Sequence, residues 1–157
     1  MSAAAAFEVY GSLLYASGKL QQCAPEYHRA IDLRETVARQ RPDDIDNGIE
    51  LSTSLEHLAD LYGGYGFQNM GKTEESAQLC SRAAEIVGRL SARYPNNTLV
   101  AHQHYSALVS SSAAERGLGH LDRSLDLLNG ALAEIEKAIT ATKQADRKSI
   151  QPPLGSA

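Results

Sequence analysis

Apolar residues recur at helical spacing along nearly the whole chain. Leu51, Leu55, Leu58 and Tyr62 stand at i, i+4, i+7 and i+11, and Leu121, Leu125, Leu128, Leu132, Ile135 and Ile139 carry a similar stripe through about five turns. Strand signals are missing, since no alternating run rich in Val, Ile and Thr is bounded by hairpin dipeptides. Start and stop signals divide the chain into six helices, over 3–16, 20–40, 45–63, 74–93, 98–116 and 120–143. The pattern predicts an all-α fold of three antiparallel pairs. The units cover about 3–42, 45–95 and 98–143, making one domain over 1–143, with a disordered tail at 144–157 holding Pro152, Pro153 and Gly155.

Local chemistry agrees with these bounds. Asp43/Asp44 and Asn96/Asn97 are placed to cap the third and fifth helices by accepting free first-turn N–H groups. Thr73 with Glu74 and Glu75 is expected to do this for the fourth, with acidic charge at the positive end of the dipole. Lys137, Lys143, Arg147 and Lys148 suit the opposite end of the last helix. Pro25 lies inside the second helix and removes an N–H there, which predicts a later start or a kink.

The chain also repeats itself. Gly18-Lys19, Arg29-Ala30 and Pro42-Asp43-Asp44 return as Gly71-Lys72, Arg82-Ala83 and Pro95-Asn96-Asn97, each at an offset of 53 residues. A weaker copy begins at Gly119-His120 and carries Ser124, Leu128 and Ala131 where the second has Ser76, Cys80 and Ala83. In the first unit Phe7, Tyr10, Gly11, Leu14, Cys23, Tyr27 and Ala30 fall on the spaced positions of the tetratricopeptide repeat, which the chain resembles. The second unit fits through Leu55, Leu58, Ala59, Tyr62, Ser76, Cys80 and Ala83 with five extra residues in its turn. The third fits through Leu108, Ser111, Ser112, Glu115, Ser124, Leu128 and Ala131. The late prolines lengthen each unit, and segments such as YHRAIDLRETVARQRPDD and CSRAAEIVGRLSARYPNN resemble the repeats of about 50 residues found behind bacterial, notably acidobacterial, serine/threonine kinase domains. No kinase motif accompanies them: there is no Gly-rich loop with Val-Ala-Ile-Lys, no His-Arg-Asp and no Asp-Phe-Gly.

Composition narrows the function classes. Fifteen basic against 19 acidic residues give a formal charge of −4 with no Lys/Arg cluster, so nucleic acid and anionic membrane are not expected partners. Every apolar stretch is interrupted before the roughly 18 residues of a membrane span, and Met1–Ala6 lacks the basic start of a signal peptide, leaving a cytoplasmic location as the expectation. Cys23 and Cys80 make no disulfide framework and read as small helix-crossing residues.

One pattern points to an enzyme. Gly66-Phe67-Gln68-Asn69-Met70-Gly71-Lys72-Thr73 satisfies the P-loop expression, with Gly66, Gly71, Lys72 and Thr73 as its fixed positions. The chemistry needs an apolar strand before the loop, whereas LEHLADLYGG has helical spacing and ionisable residues, and no later apolar run ends in a Walker B Asp. Gly18-Lys19 occupies the same repeat position without any P-loop. A small nucleotide-binding protein is therefore the alternative reading. His102 and His104 stand two residues apart on a helix, about 200° around its axis, so no shared metal is expected. His28, His57 and His120 read as surface or turn residues, and no catalytic group or cofactor is expected.

The resemblance implies a right-handed α-solenoid whose first helices line a concave groove for a peptide. Carried onto this chain, the groove positions are Glu8, Ser12, Tyr15, Thr53, Glu56, Asp60, Val109 and Arg116. Three acidic residues against one basic residue favour a basic protein or peptide partner. The Lys and Asn positions with which some family members clamp a C-terminal carboxylate are not filled. Tyr65 and Phe67, in an aromatic and Gly-rich loop, are further contact candidates. Phe7, Val9, Tyr10, Leu13, Leu14 and Tyr15 spread apolar groups over more than one face of the first helix, which predicts a homodimer or another docked protein there. Asp122, Arg123, Asp126, Asn129 and Glu134 give the last helix a polar back suited to a cap. The expected function is a non-enzymatic interaction scaffold, and the kinase-linked resemblance implies bacterial signalling.

Overall fold

The six helices are α1 (Ala3–Ala16), α2 (Leu20–Gln40), α3 (Ile45–Gly63), α4 (Thr73–Arg93), α5 (Thr98–Gly117) and α6 (Leu121–Ile150). The structure, a computed structural model, describes residues 2–64 and 68–150, with side-chain surroundings given for neither 141 nor 144–150. No strand occurs among the described residues, and no helix there is long and apolar enough to cross a membrane. The last helix runs seven residues beyond the expected end at 143, to Ile150, while 151–157 lie outside the described residues.

Each pair is closed by the same device. Gly18, Gly71 and Gly119 all adopt positive φ, at 72°, 71° and 83°, where a Cβ is strained and glycine is free to turn the chain. At the first turn Gly18 N–H donates to Tyr15 O and Lys19 N–H to Leu14 O, satisfying carbonyls that the helix end leaves open. At the second turn Lys72, not Thr73, occupies the cap position of α4 and makes no side-chain cap bond. Thr73 is instead the first helical residue, followed by Glu74 and Glu75 in the first turn. Units are joined by Arg41-Pro42 and Tyr94-Pro95, where Asp44 N–H donates to Arg41 O and Asn97 N–H to Tyr94 O in matching turns. Asp44 Oδ1 accepts from Asn47 N at 3.0 Å, and Asn97 Oδ1 from Leu99 and Val100 N, so one residue of each expected pair does the capping. Helix α2 starts at Leu20 and runs through Pro25, whose exposed position leaves the orphaned Gln21 carbonyl within reach of water.

Every helix packs on the next one in sequence, and α3 also touches α5. The main core gathers Leu14 of α1, Cys23, Tyr27 and Ile31 of α2, Leu51, Leu55, Leu58 and Leu61 of α3, Ala83 and Val87 of α4, and Ala107 of α5. Small residues set the crossings. A Cβ on Gly11 would lie 2.9 Å from the Tyr27 ring, and one on Gly63 would lie 2.8 Å from the Thr73 Cα. Arg34, buried on α2, is held by Glu8 of α1 at 2.5 Å and by Glu50 of α3, tying three helices through one guanidinium. At the far end α6 rests on α5 through paired serines, Ser112 Oγ and Ser124 Oγ at 2.8 Å, each hydroxyl also bonding the other residue's carbonyl at 3.0 Å.

The Leu stripe of α6, read from its spacing as one helical face, lies largely open to solvent. Ser124 and Ala131 face α5, whereas Leu121, Leu125, Leu128, Leu132 and Ile139 are exposed. Periodicity identified one face of this helix correctly but could not say that small neighbours, rather than the leucines, make the seat on α5.

Candidate functional site

The first helices of the pairs approach one another through polar side chains. Glu8 of α1 accepts from Ser54 of α3, and Glu56 of α3 accepts from Gln103 at 2.8 Å and Ser110 at 3.0 Å on α5. The second helices stand apart. Between α2 and α4 lies a cleft of about 590 Å³, spanned by the Arg82–Glu35 and Arg93–Asp43 ion pairs. A further cleft separates α4 from α6 near Glu74, Glu115, His120 and Arg123.

Of the eight candidate groove residues, several are taken up by the fold itself. Glu8 is engaged by Arg34 and Ser54. Glu56 is buried, at 9% exposure, and both carboxylate oxygens accept hydrogen bonds, so it does not present charge to a ligand as expected. Burial raises its pKa, the negative Asp60 adds to this, and the bonds from Ser110 and Gln103 oppose it. Thr53 donates to its own helix at Ile49 O. Ser12 Oγ lies 3.3 Å from Tyr27 Oη, and Tyr15 Oη donates to Gln68 O at 3.0 Å.

Asp60 of α3 is an exposed residue whose carboxyl is nonetheless partly enclosed. Partial desolvation raises its pKa, and His57, one turn earlier, lowers it. The Tyr15 hydroxyl feels this carboxylate, which raises the phenol pKa after the larger effect of burial. Ser12, Tyr15, His57 and Asp60 thus share one surface between α1 and α3, with the Tyr27 ring 5.8 Å from the His57 ring. From the sequence His57 reads as a surface or turn residue and not as part of a binding patch; the signal available for the patch was its position three residues before Asp60 on one helix. Val109 and Arg116 are elsewhere. They line an apolar cleft with Ala113 of α5 and Leu121, Leu125 and Leu128 of α6, so the eight residues do not form one groove.

The P-loop pattern meets a different geometry. Its Gly66, like the contact candidates Tyr65 and Phe67, lies outside the described residues. What precedes the pattern is helix α3, and the amides at its end are already bonded within the chain: Met70 N–H to Leu61 O, Gly71 N–H to Asn69 Oδ1 and Lys72 N–H to Tyr62 O. The Lys72 ammonium lies 4.8 Å from the Tyr62 ring centroid.

No group of three or more His, Cys, Asp or Glu among the described residues is arranged to hold a metal. His104 faces Glu134, with Nδ1 3.4 Å from Oε1, and His120 Nδ1 lies 2.8 Å from Glu115 Oε2. Burial lowers the His104 pKa, and the Glu134 carboxylate opposes that shift. Both cysteines are free and buried, with the Cys80 thiol pushed up to about 12 by desolvation and then by Asp60 and Glu56, which leaves it protonated and unreactive at neutral pH.

Sequence spacing missed the arginines of the α2–α4 cleft. Arg39, Arg41, Arg82, Arg89 and Arg93 converge there from two repeats without forming any run. Glu35, Asp43 and Asp44 pair with four of them, Glu35 with two, which makes the cleft a strut between helices more than a basic patch. No family model, curated protein or solved structure matches the chain.

Proposed function

We propose that the chain is a tetratricopeptide-like scaffold that binds a peptide or protein partner along α1 and α3, without catalysis of its own. Close polar contact among the first helices, with clefts between the second helices, supports reading the array as a solenoid curved toward its first helices. The observation that carries the reading is the shared closing device of the three pairs, a glycine at positive φ, Gly18, Gly71 and Gly119, just before each second helix. That periodic turn also accounts for Gly71-Lys72 without nucleotide, and the amides of Met70, Gly71 and Lys72 are already bonded within the chain, which weighs against the nucleotide reading.

The partner surface is the Ser12–Tyr15–His57–Asp60 patch, and Asp60 supplies its anionic anchor. With Glu8 and Glu56 consumed by the fold, preference for a basic ligand rests on Asp60 alone. A peptide-display selection against the purified chain tests this. Selected peptides should carry a Lys or Arg whose binding weakens by about tenfold in Asp60→Asn, the loss of roughly one charge-assisted contact. Absence of any enriched peptide, or binding indifferent to both Asp60→Asn and Tyr15→Ala, would remove the reading.

A further inference from the structure

The two ends of the helical array are complementary by repeat register. Inside the chain, each first helix packs on the second helix of the preceding pair. Leu61 of α3 lies in one core cluster with Tyr27 of α2, and Ala114 of α5 clusters with Cys80 of α4. The repeat offsets align Tyr27 with Cys80 and Leu128, and they align Leu61 with Ala114 and Leu13. The third junction of this series therefore needs Leu128 of α6 and Leu13 of an α1, which one chain cannot bring together.

Both halves of that junction stand open. Leu58 and Leu61 of α3 are 0% exposed, whereas their counterparts in α1, Tyr10 and Leu13, are 54% and 61% exposed. On the acceptor side, Ala24, Tyr27 and Ile31 of α2 are buried, whereas Leu125, Leu128 and Leu132 of α6, at the same positions, are exposed. The α6 face continues into a cleft of about 370 Å³ lined by Val109 and Ala113 of α5. A soluble surface has no use for bulky apolar side chains at both ends in just the register that the interior fills.

From this we infer that a second copy of the chain docks head to tail, its α1 lying against α5 and α6 as α3 lies against α1 and α2. The contact is heterologous, so each added copy exposes a fresh Leu stripe and the assembly grows copy by copy unless its rotation closes a ring. Its donor side, Tyr10 and Leu13, shares α1 with Ser12 and Tyr15 of the Asp60 patch, its acceptor side on α6 does not, and the inference does not rest on the peptide-binding reading.

Sedimentation velocity over a concentration series, with Leu13→Glu, Leu128→Glu and their mixture, tests the inference. The unaltered chain should form species larger than a dimer that increase with concentration. Each variant alone should remain monomeric, because one end is blocked, while the equimolar mixture should yield a one-to-one dimer through the two intact ends. Circular dichroism checks folding, and Tyr10→Glu with Leu125→Glu repeats the design should either first variant lose helix. A dimer abolished by Leu13→Glu but untouched by Leu128→Glu would mean a symmetric α1 contact and overturn the proposal. An unaltered chain that stays monomeric throughout, with ends that serve other partners, would overturn it equally.

Discussion

Glu56 is an acid enclosed by its own fold. Its ordinary pKa is raised by burial, so the folded chain holds this proton more tightly than the unfolded chain does. Stability from this group is therefore greatest at low pH and declines as pH rises from the ordinary carboxylate value through the raised one. Replacement by Gln removes the titration and keeps partners for Ser110 and Gln103. Thermal melts should place Glu56→Gln above the unaltered chain at neutral pH, with the difference fading near about pH 4, where both side chains are uncharged. A lower midpoint at neutral pH would mean that the carboxylate stabilises the fold as an ion. The sequence located Glu56 on the first-helix face but did not reveal its burial. That depends on Ser110 being small enough for α5 to come close, a distance that one helix's periodicity does not contain. Cys23 and Cys80 were legible because their positions in the repeat call for compact side chains at helix crossings, and both are buried there.

Helices α1, α2 and α3 depend on Arg34 in a way no spacing rule announces. Its guanidinium is buried and paired with carboxylates from both neighbouring helices, and its Nε has no hydrogen-bond partner. Removing the cation leaves Glu8 half-enclosed beside Ser54, so Arg34→Ala should cost about 3 kcal/mol in urea unfolding. Arg34→Lys should recover only part, since an ammonium cannot reproduce the two-pronged geometry. Equal stability of all three proteins would show the cluster to be ornamental. Helix limits were legible to within a residue except for α6, because caps, prolines and glycines act locally. The outward Leu stripe of α6 was not, since its orientation is decided by the Ser112–Ser124 contact with another helix. Charge pairing across the α2–α4 cleft was hidden for the same reason.

At the level of the whole molecule, packing runs from neighbour to neighbour. The middle helices α3 and α4 are covered on both sides, whereas α1 and α6 each have one sequential neighbour. Local opening should begin at the ends. Hydrogen exchange on the dilute chain should find the slowest amides in α3 and α4, around Leu55, Leu58 and Val87, and the fastest helical amides in α1 and α6. Uniform protection would mean that the three pairs unfold as one block. Fold class and pairing were legible because each unit repeats the same local signals. The surface of the first helices was only partly so, because Glu8 and Glu56 are drawn into contacts between units.

The sequential order of contacts also bears on synthesis. A chain whose helices each pack on the one just made has little need to wait for distant segments before burying its core. As translation proceeds from the first turn at Gly18 to the last at Gly119, each completed pair offers an apolar landing surface to the next helix leaving the ribosome. The growing polypeptide then shields its newest exposed face step by step, and the leucines of α6 are the last apolar face of the described helices to emerge, left open to solvent.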